Sequence, residues 1–151
     1  MKVLFLDFDG VLNSERYVRR CGRYGVIIDP ERLALLKKIT DATDAVIVLS
    51  TSWREHWDKD DALCDETGVQ INGIFSGYGL CIFDKTPKLF SRREEEIKAW
   101  LDSHPETEGF AVLDDAFLSA DFLYGHFVKT SDFRGGLCEQ NVLEAIDILN
   151  S

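Results

Sequence analysis

Two aspartates, Asp7 and Asp9, follow the apolar run Val3-Leu-Phe-Leu6, with Phe8 between them and Gly10 behind. A second acidic pair, Asp114 and Asp115, follows another apolar run at 110–113. Four carboxylates gathered at one place repel each other unless a cation sits among them, and all-oxygen ligands favour Mg²⁺ over zinc. Ser50 and Thr51 end a third apolar run, 45–49. Hydroxyls and free N–H groups at a helix start form an anion site as well as a cap. Ser50, directly at the end of the run, is the first choice for binding a phosphate, with Thr51 beside it. A cation facing that anion has to come from Lys88, Arg92 or Arg93. Arg93 stands four residues before Ile97 and seven before Trp100, so it shares their buried stripe, whereas Arg92 aligns with Glu96 on the exposed side. Lys88 lies near the same turn and is the second candidate. Carboxylates, a hydroxyl and a basic group around one Mg²⁺ describe phosphoryl transfer, which asks mainly for positioning and charge neutralisation.

These residues need a scaffold that carries distant strand ends to one edge. Val3 to Leu6 reads as a strand buried on both faces. Asp29 as N-cap and Pro30 at the first position start a helix carrying Leu33, Leu35, Leu36 and Ile39, running to about Thr40. A strand at 45–49 follows, then a short helical stretch that Gly68 is expected to stop. One or two short strands are expected between Val69 and Asp84. Ser91 with Glu94 reads as a capping box for a helix bearing Ile97, Trp100 and Leu101. Strands at 109–113 and 126–130 and a helix at 139–149, with Val142, Ile146 and Leu149 on one face, complete the chain. Residues 14–28, rich in Arg, Tyr and Gly, show no helical period and are expected as a hairpin or flap whose basic residues contact substrate. Trp53 and Trp57, four apart, read first as core packing and second as base-stacking residues.

Alternating strands and helices specify an α/β fold: a Rossmann-like three-layer α/β/α arrangement around a mainly parallel sheet of about five strands. In such a sheet ligands bind beyond the carboxyl ends of the strands, where all three polar strand ends lie. The 151 residues are expected to form one domain, 1–151, with a minimal cap or none. No apolar run approaches the length of a membrane span, and no secretory signal is evident, so a cytoplasmic location is expected. The net charge of -10 argues against non-specific binding to nucleic acid but leaves room for a local basic pocket. Cys21, Cys64, Cys81 and Cys138 lack metal-site spacing and read as reduced thiols, and His56, His104 and His126 form no ligand pattern.

Together these residues resemble the haloacid dehalogenase superfamily of phosphohydrolases over nearly the whole chain. Asp7-Phe-Asp9-Gly10-Val11 is similar to its first motif, Ser50 to its second, Arg93 or Lys88 to its third and Asp114-Asp115 to its fourth. The resemblance implies Asp7 as the nucleophile that becomes an aspartyl-phosphate, and Asp9 as general acid and then base. It implies Mg²⁺ on Asp7, the Asp9 backbone carbonyl and Asp115, with Asp114 behind them. The short chain resembles minimal-cap members acting on large substrates. The string Leu49-Ser-Thr-Ser-Trp-Arg54, with Arg93, Glu96, Ile97, Trp100 and Leu101, further resembles phosphatase domains linked to RNA repair. The implied activity is a Mg²⁺-dependent phosphatase acting on a phosphomonoester, such as a nucleotide or polynucleotide end. The alternatives are a receiver-like module that is phosphorylated without turnover and a deoxynucleotidase-like phosphatase of small nucleotides.

Overall fold

A computed structural model describes residues 1–151. Strand β1 (Lys2–Leu6) is central in an all-parallel sheet of five strands. It is flanked by β2 (Val46–Leu49) and then β3 (Ile82–Lys85) on one side, and by β4 (Gly109–Asp114) and then β5 (Phe127–Lys129) on the other. The helices are α1 (Glu15–Cys21), α2 (Pro30–Thr43), α3 (Glu66–Ser76), α4 (Arg93–Asp102) and α5 (Glu139–Asn150). No helix is long and apolar enough to cross a membrane.

Side chains alternate across the sheet, so each strand feeds two cores. Leu4, Leu6, Ile47, Leu49, Ala111 and Leu113 face one side, where α2, α3 and α5 contribute Leu36, Ile71, Phe75 and Val142. Val3, Phe5, Val48 and Val112 face the other, covered by Ile97 and Trp100 of α4 and by Leu123. Trp100 meets Phe5 edge to face at a centroid distance of 5.4 Å. With both faces covered, the polar groups left over gather at the carboxyl-terminal edge. There the backbone ladder runs one residue beyond the strands: Asp7 N–H donates to Leu113, Ser50 to Leu6, Thr86 to Leu49 and Thr130 to Asp114.

Several local expectations are corrected. Residues 14–28 contain α1, capped by Ser14, instead of a hairpin. That helix buries none of its residues, which is why it shows no apolar period. Gly68 does not stop a helix but lies in the first turn of α3, where a Cβ would come within 2.0 Å of the His56 carbonyl oxygen. Close backbone approach, not chain reversal, explains that glycine. The region expected to hold one or two short strands holds one, β3, but its first part is helix α3. Helix α4 starts one residue later than a Ser91 cap implies: Arg92 is the N-cap and makes no capping hydrogen bond. Helix α2 extends to Thr43, three residues past its expected end, and its following residue Asp44 adopts the left-handed conformation.

Candidate active site

Asp7 directly follows β1, and its carboxyl is nearly buried. Its Oδ1 accepts the Phe8 N–H at 2.9 Å, and its Oδ2 lies 3.1 Å from Nη1 of Arg93. Arg93 opens α4, which returns antiparallel to the strands and so delivers its first residue to the edge where Asp7 lies. The same Nη1 donates to Asp114 Oδ2 at 2.7 Å, while Asp114 Oδ1 accepts the Ala116 N–H. Oxygens of Asp7, Asp114 and Asp115 lie within 4.8 Å of one another. Gly10 makes the arrangement possible: it has φ +80°, and a Cβ there would stand 2.1 Å from Asp115 Oδ2.

The electrostatics are those of an anionic cluster with too little positive charge. Burial first, and then Asp114, push the Asp7 pKa up to about 7, against the pull of Arg93 and the Phe8 N–H. Asp115 is also raised, by burial and by Asp114. For Arg93 burial works against the charge, but Asp7 and Asp114 outweigh it and hold the guanidinium protonated above its ordinary range. Three carboxylates against one guanidinium leave excess negative charge, and oxygen donors at this spacing fit a Mg²⁺ ion.

Asp9 stands apart. Four converging carboxylates were expected, yet only three gather; the Asp9 side chain is exposed and turned out of the cluster. Its Oδ1 accepts from Asn13 Nδ2 at 3.1 Å and its Oδ2 from the Trp53 indole N–H at 3.1 Å. Trp57, the other tryptophan of the pair, is buried and donates to Asn72. The two tryptophans lie on a short 3₁₀ helix and its cap, not on one face of an α-helix, so their shared spacing does not give them a shared environment.

Ser50 and Thr51 are both buried but differ in occupation. Thr51 Oγ1 accepts the Trp53 N–H and caps the 3₁₀ helix, whereas the Ser50 hydroxyl has no hydrogen-bond partner in the protein. A buried hydroxyl without a partner beside the Leu6–Asp7 peptide suits a phosphoryl oxygen. Lys88 is not brought to the cluster. It pairs with Glu55, and its ammonium lies 5.0 Å from the centre of the Phe90 ring.

Further residues were given no role in the site from the sequence. Asn13 is one, since it grips Asp9, Gly10 and the Ile27 carbonyl together. Arg54 is another, donating to Thr86 O, Thr51 O and Glu96 Oε2 from a buried position. Glu96, expected on the exposed side of α4, is buried, and it also accepts the Leu89 N–H. Arg54 and Glu96 therefore tie the exits of β2 and β3 to the first turns of α4, the helix that presents Arg93. The available signals were the family-like string that carries both Arg54 and Glu96 and the i+3 relation between Arg93 and Glu96 at a helix start facing the sheet.

Neither the curated proteins nor the solved structures yield a match to this chain. The family model described as the HAD domain in Swiss Army Knife RNA repair proteins matches residues 3–142, a span holding all five strands but for Lys2 of β1, and the whole carboxylate site. With that match across nearly all of its length, the chain belongs to this family of HAD domains, a hydrolase group of phosphatase type.

Proposed function

We propose that the protein is a Mg²⁺-dependent phosphomonoesterase that works through an aspartyl-phosphate on Asp7 and acts on the phosphorylated end of a polynucleotide. The observation that carries this is the division of labour between two aspartates two residues apart. Asp7 is packed into the cluster with Asp114, Asp115 and Arg93, while Asp9 is left outside it with an exposed carboxyl.

Asp7 is the group positioned to attack phosphorus, with Arg93 against its own carboxylate and able to neutralise a phosphoryl oxygen. As the Asp7–phosphorus bond forms and the bond to the leaving oxygen breaks, Asp9 gives that oxygen its proton. Asp9 then takes a proton from the water that attacks phosphorus, releasing inorganic phosphate and restoring the Asp7 carboxylate. The Ser50 hydroxyl is available to a phosphoryl oxygen. Asp7, Asp115 and the Asp9 carbonyl, with Asp114 behind them, would hold Mg²⁺, which would supply charge neutralisation for the phosphoryl group.

An arginine-rich concavity supports the polynucleotide reading. In a chain of net charge -10, α1, the start of α2 and the loop before α5 enclose about 270 Å³ in which Arg16, Arg20, Arg32 and Arg134, beside Tyr17 and Phe133, outnumber the carboxylates of Asp29, Glu31 and Asp132. Ser14, which also lines it, directly follows Asn13, which holds Asp9, so this pocket adjoins the site. Guanidinium groups beside aromatic rings are the chemistry that follows a single strand through its phosphates and bases. The family's occurrence in RNA repair proteins points the same way.

The test is phosphate release, with and without Mg²⁺, from end-phosphorylated oligonucleotides, mononucleotides, sugar phosphates and phosphopeptides. Mg²⁺-dependent release that favours oligonucleotides and vanishes in Asp7→Asn is expected. No release from any substrate would overturn the phosphatase reading. Equal use of mononucleotides and oligonucleotides, unaltered by Arg16→Ala/Arg134→Ala, would overturn the polynucleotide part alone.

A further inference from the structure

We infer that Trp53 is a positioning residue for Asp9: its indole N–H fixes the carboxyl that protonates the leaving group, an inference resting on the reading of Asp9 as acid and base. An exposed aspartate rotates freely unless something holds it, and proton transfer requires it within hydrogen-bond reach of the leaving oxygen. Here both carboxyl oxygens are held, Oδ1 by Asn13 and Oδ2 by Trp53, each at 3.1 Å. The two donors come from different strand exits. Asn13 follows β1 and is itself pinned, accepting the Gly10 N–H at 3.1 Å and donating to Ile27 O at 2.8 Å. Trp53 follows β2, with its backbone N–H on Thr51 Oγ1 and its ring 5.9 Å from that of His56.

Packing alone does not require this bond. Trp53 is only partly buried, and a phenyl ring would occupy much of the same space without a donor. The bond has a chemical use at both stages of the reaction. When Asp9 passes its proton to the leaving oxygen it becomes an anion, and the two N–H donors keep that carboxylate oriented. It is then in place to take the proton of the attacking water.

The experiment separates protonation from folding by the choice of leaving group. The value of kcat/KM covers only the steps up to transfer of the phosphoryl group onto Asp7, so the later hydrolysis does not enter it. An alkyl phosphomonoester departs as an alkoxide and needs the proton from Asp9, whereas para-nitrophenyl phosphate departs readily as its anion. Trp53→Phe is expected to lower kcat/KM for the alkyl ester by about 10- to 100-fold, part of the general-acid contribution, and for the nitrophenyl ester by less than about threefold. Independently of turnover, the Trp53 indole N–H resonance is expected to shift in Asp9→Ala while those of Trp57 and Trp100 stay in place. An equal fall on both esters, no fall on the alkyl ester, or an unmoved Trp53 resonance would overturn the inference. If the wild-type protein turns over neither ester, the phosphatase reading fails, and the resonance still reports whether Trp53 holds Asp9.

Discussion

Replacing Asp7 by Asn isolates what the carboxylate cluster costs the metal-free fold. Burial and Asp114 raise Asp7 from 3.8 to about 7 even after the opposing pull of Arg93. Between those values the unfolded chain has lost the proton that the folded chain keeps, so stability falls as pH rises through the window. At about 1.4 kcal/mol per pH unit, the interval from 3.8 to about 7 corresponds to a loss of up to about 4 kcal/mol. For a domain of this size that is on the order of 10 °C in melting temperature. Asn at this position does not titrate and does not carry the loss. Thermal melts in chelator at about pH 4.5 and about pH 8 should therefore show Asp7→Asn gaining on the wild type as pH rises, until the variant is the more stable. Excess Mg²⁺ near neutral pH should stabilise the wild type and narrow the gap, with little effect on the variant. A wild-type-to-variant gap that is equal at both pH values, or equal with and without Mg²⁺, would refute the reasoning.

Other substitutions probe the scaffold and the charges around it. Gly10→Ala should drive the new methyl group into Asp115 and strain a left-handed backbone; calorimetric titration should find Mg²⁺ bound at least about tenfold more weakly. Arg54→Ala leaves Glu96 buried without its partner and should cost about 3–5 kcal/mol in denaturant unfolding. Glu96→Gln, which can still accept from Arg54 and the Leu89 N–H, should cost less in the same measurement. Arg93→Ala should lower kcat/KM by about 10²- to 10³-fold, whereas Lys88→Ala, which breaks a half-exposed pair with Glu55 and a contact with the Phe90 ring, should stay within about threefold.

The sheet and its polar edge were legible because buried parallel strands leave continuous apolar runs, and Asp7, Ser50 and Asp114 each stand at the end of one. Arg93 was legible from helical spacing, since Ile97 and Trp100 define the face that meets the sheet. Glu96 was misread by the same logic, because its helical alignment with Arg92 put it on the solvent side, where a buried guanidinium on another element in fact meets it. Helix α1 could not be read from periodicity, having no buried side to mark. Gly68 misled because a glycine needed for close approach to a carbonyl looks, in sequence, like one that ends a helix. The different surroundings of Trp53 and Trp57 depend on Asp9 and Asn72, partners that local spacing does not reveal.

The most direct test of the account is to trap the phosphorylated enzyme. Protein mixed with a radiolabelled phosphomonoester and Mg²⁺, quenched in acid within a single turnover and digested, should yield one labelled peptide. That peptide should carry phosphate on Asp7, survive acid, lose the label to hydroxylamine and be absent from Asp7→Asn. Phosphate release with no label on Asp7, or undiminished release by Asp7→Asn, would contradict the account.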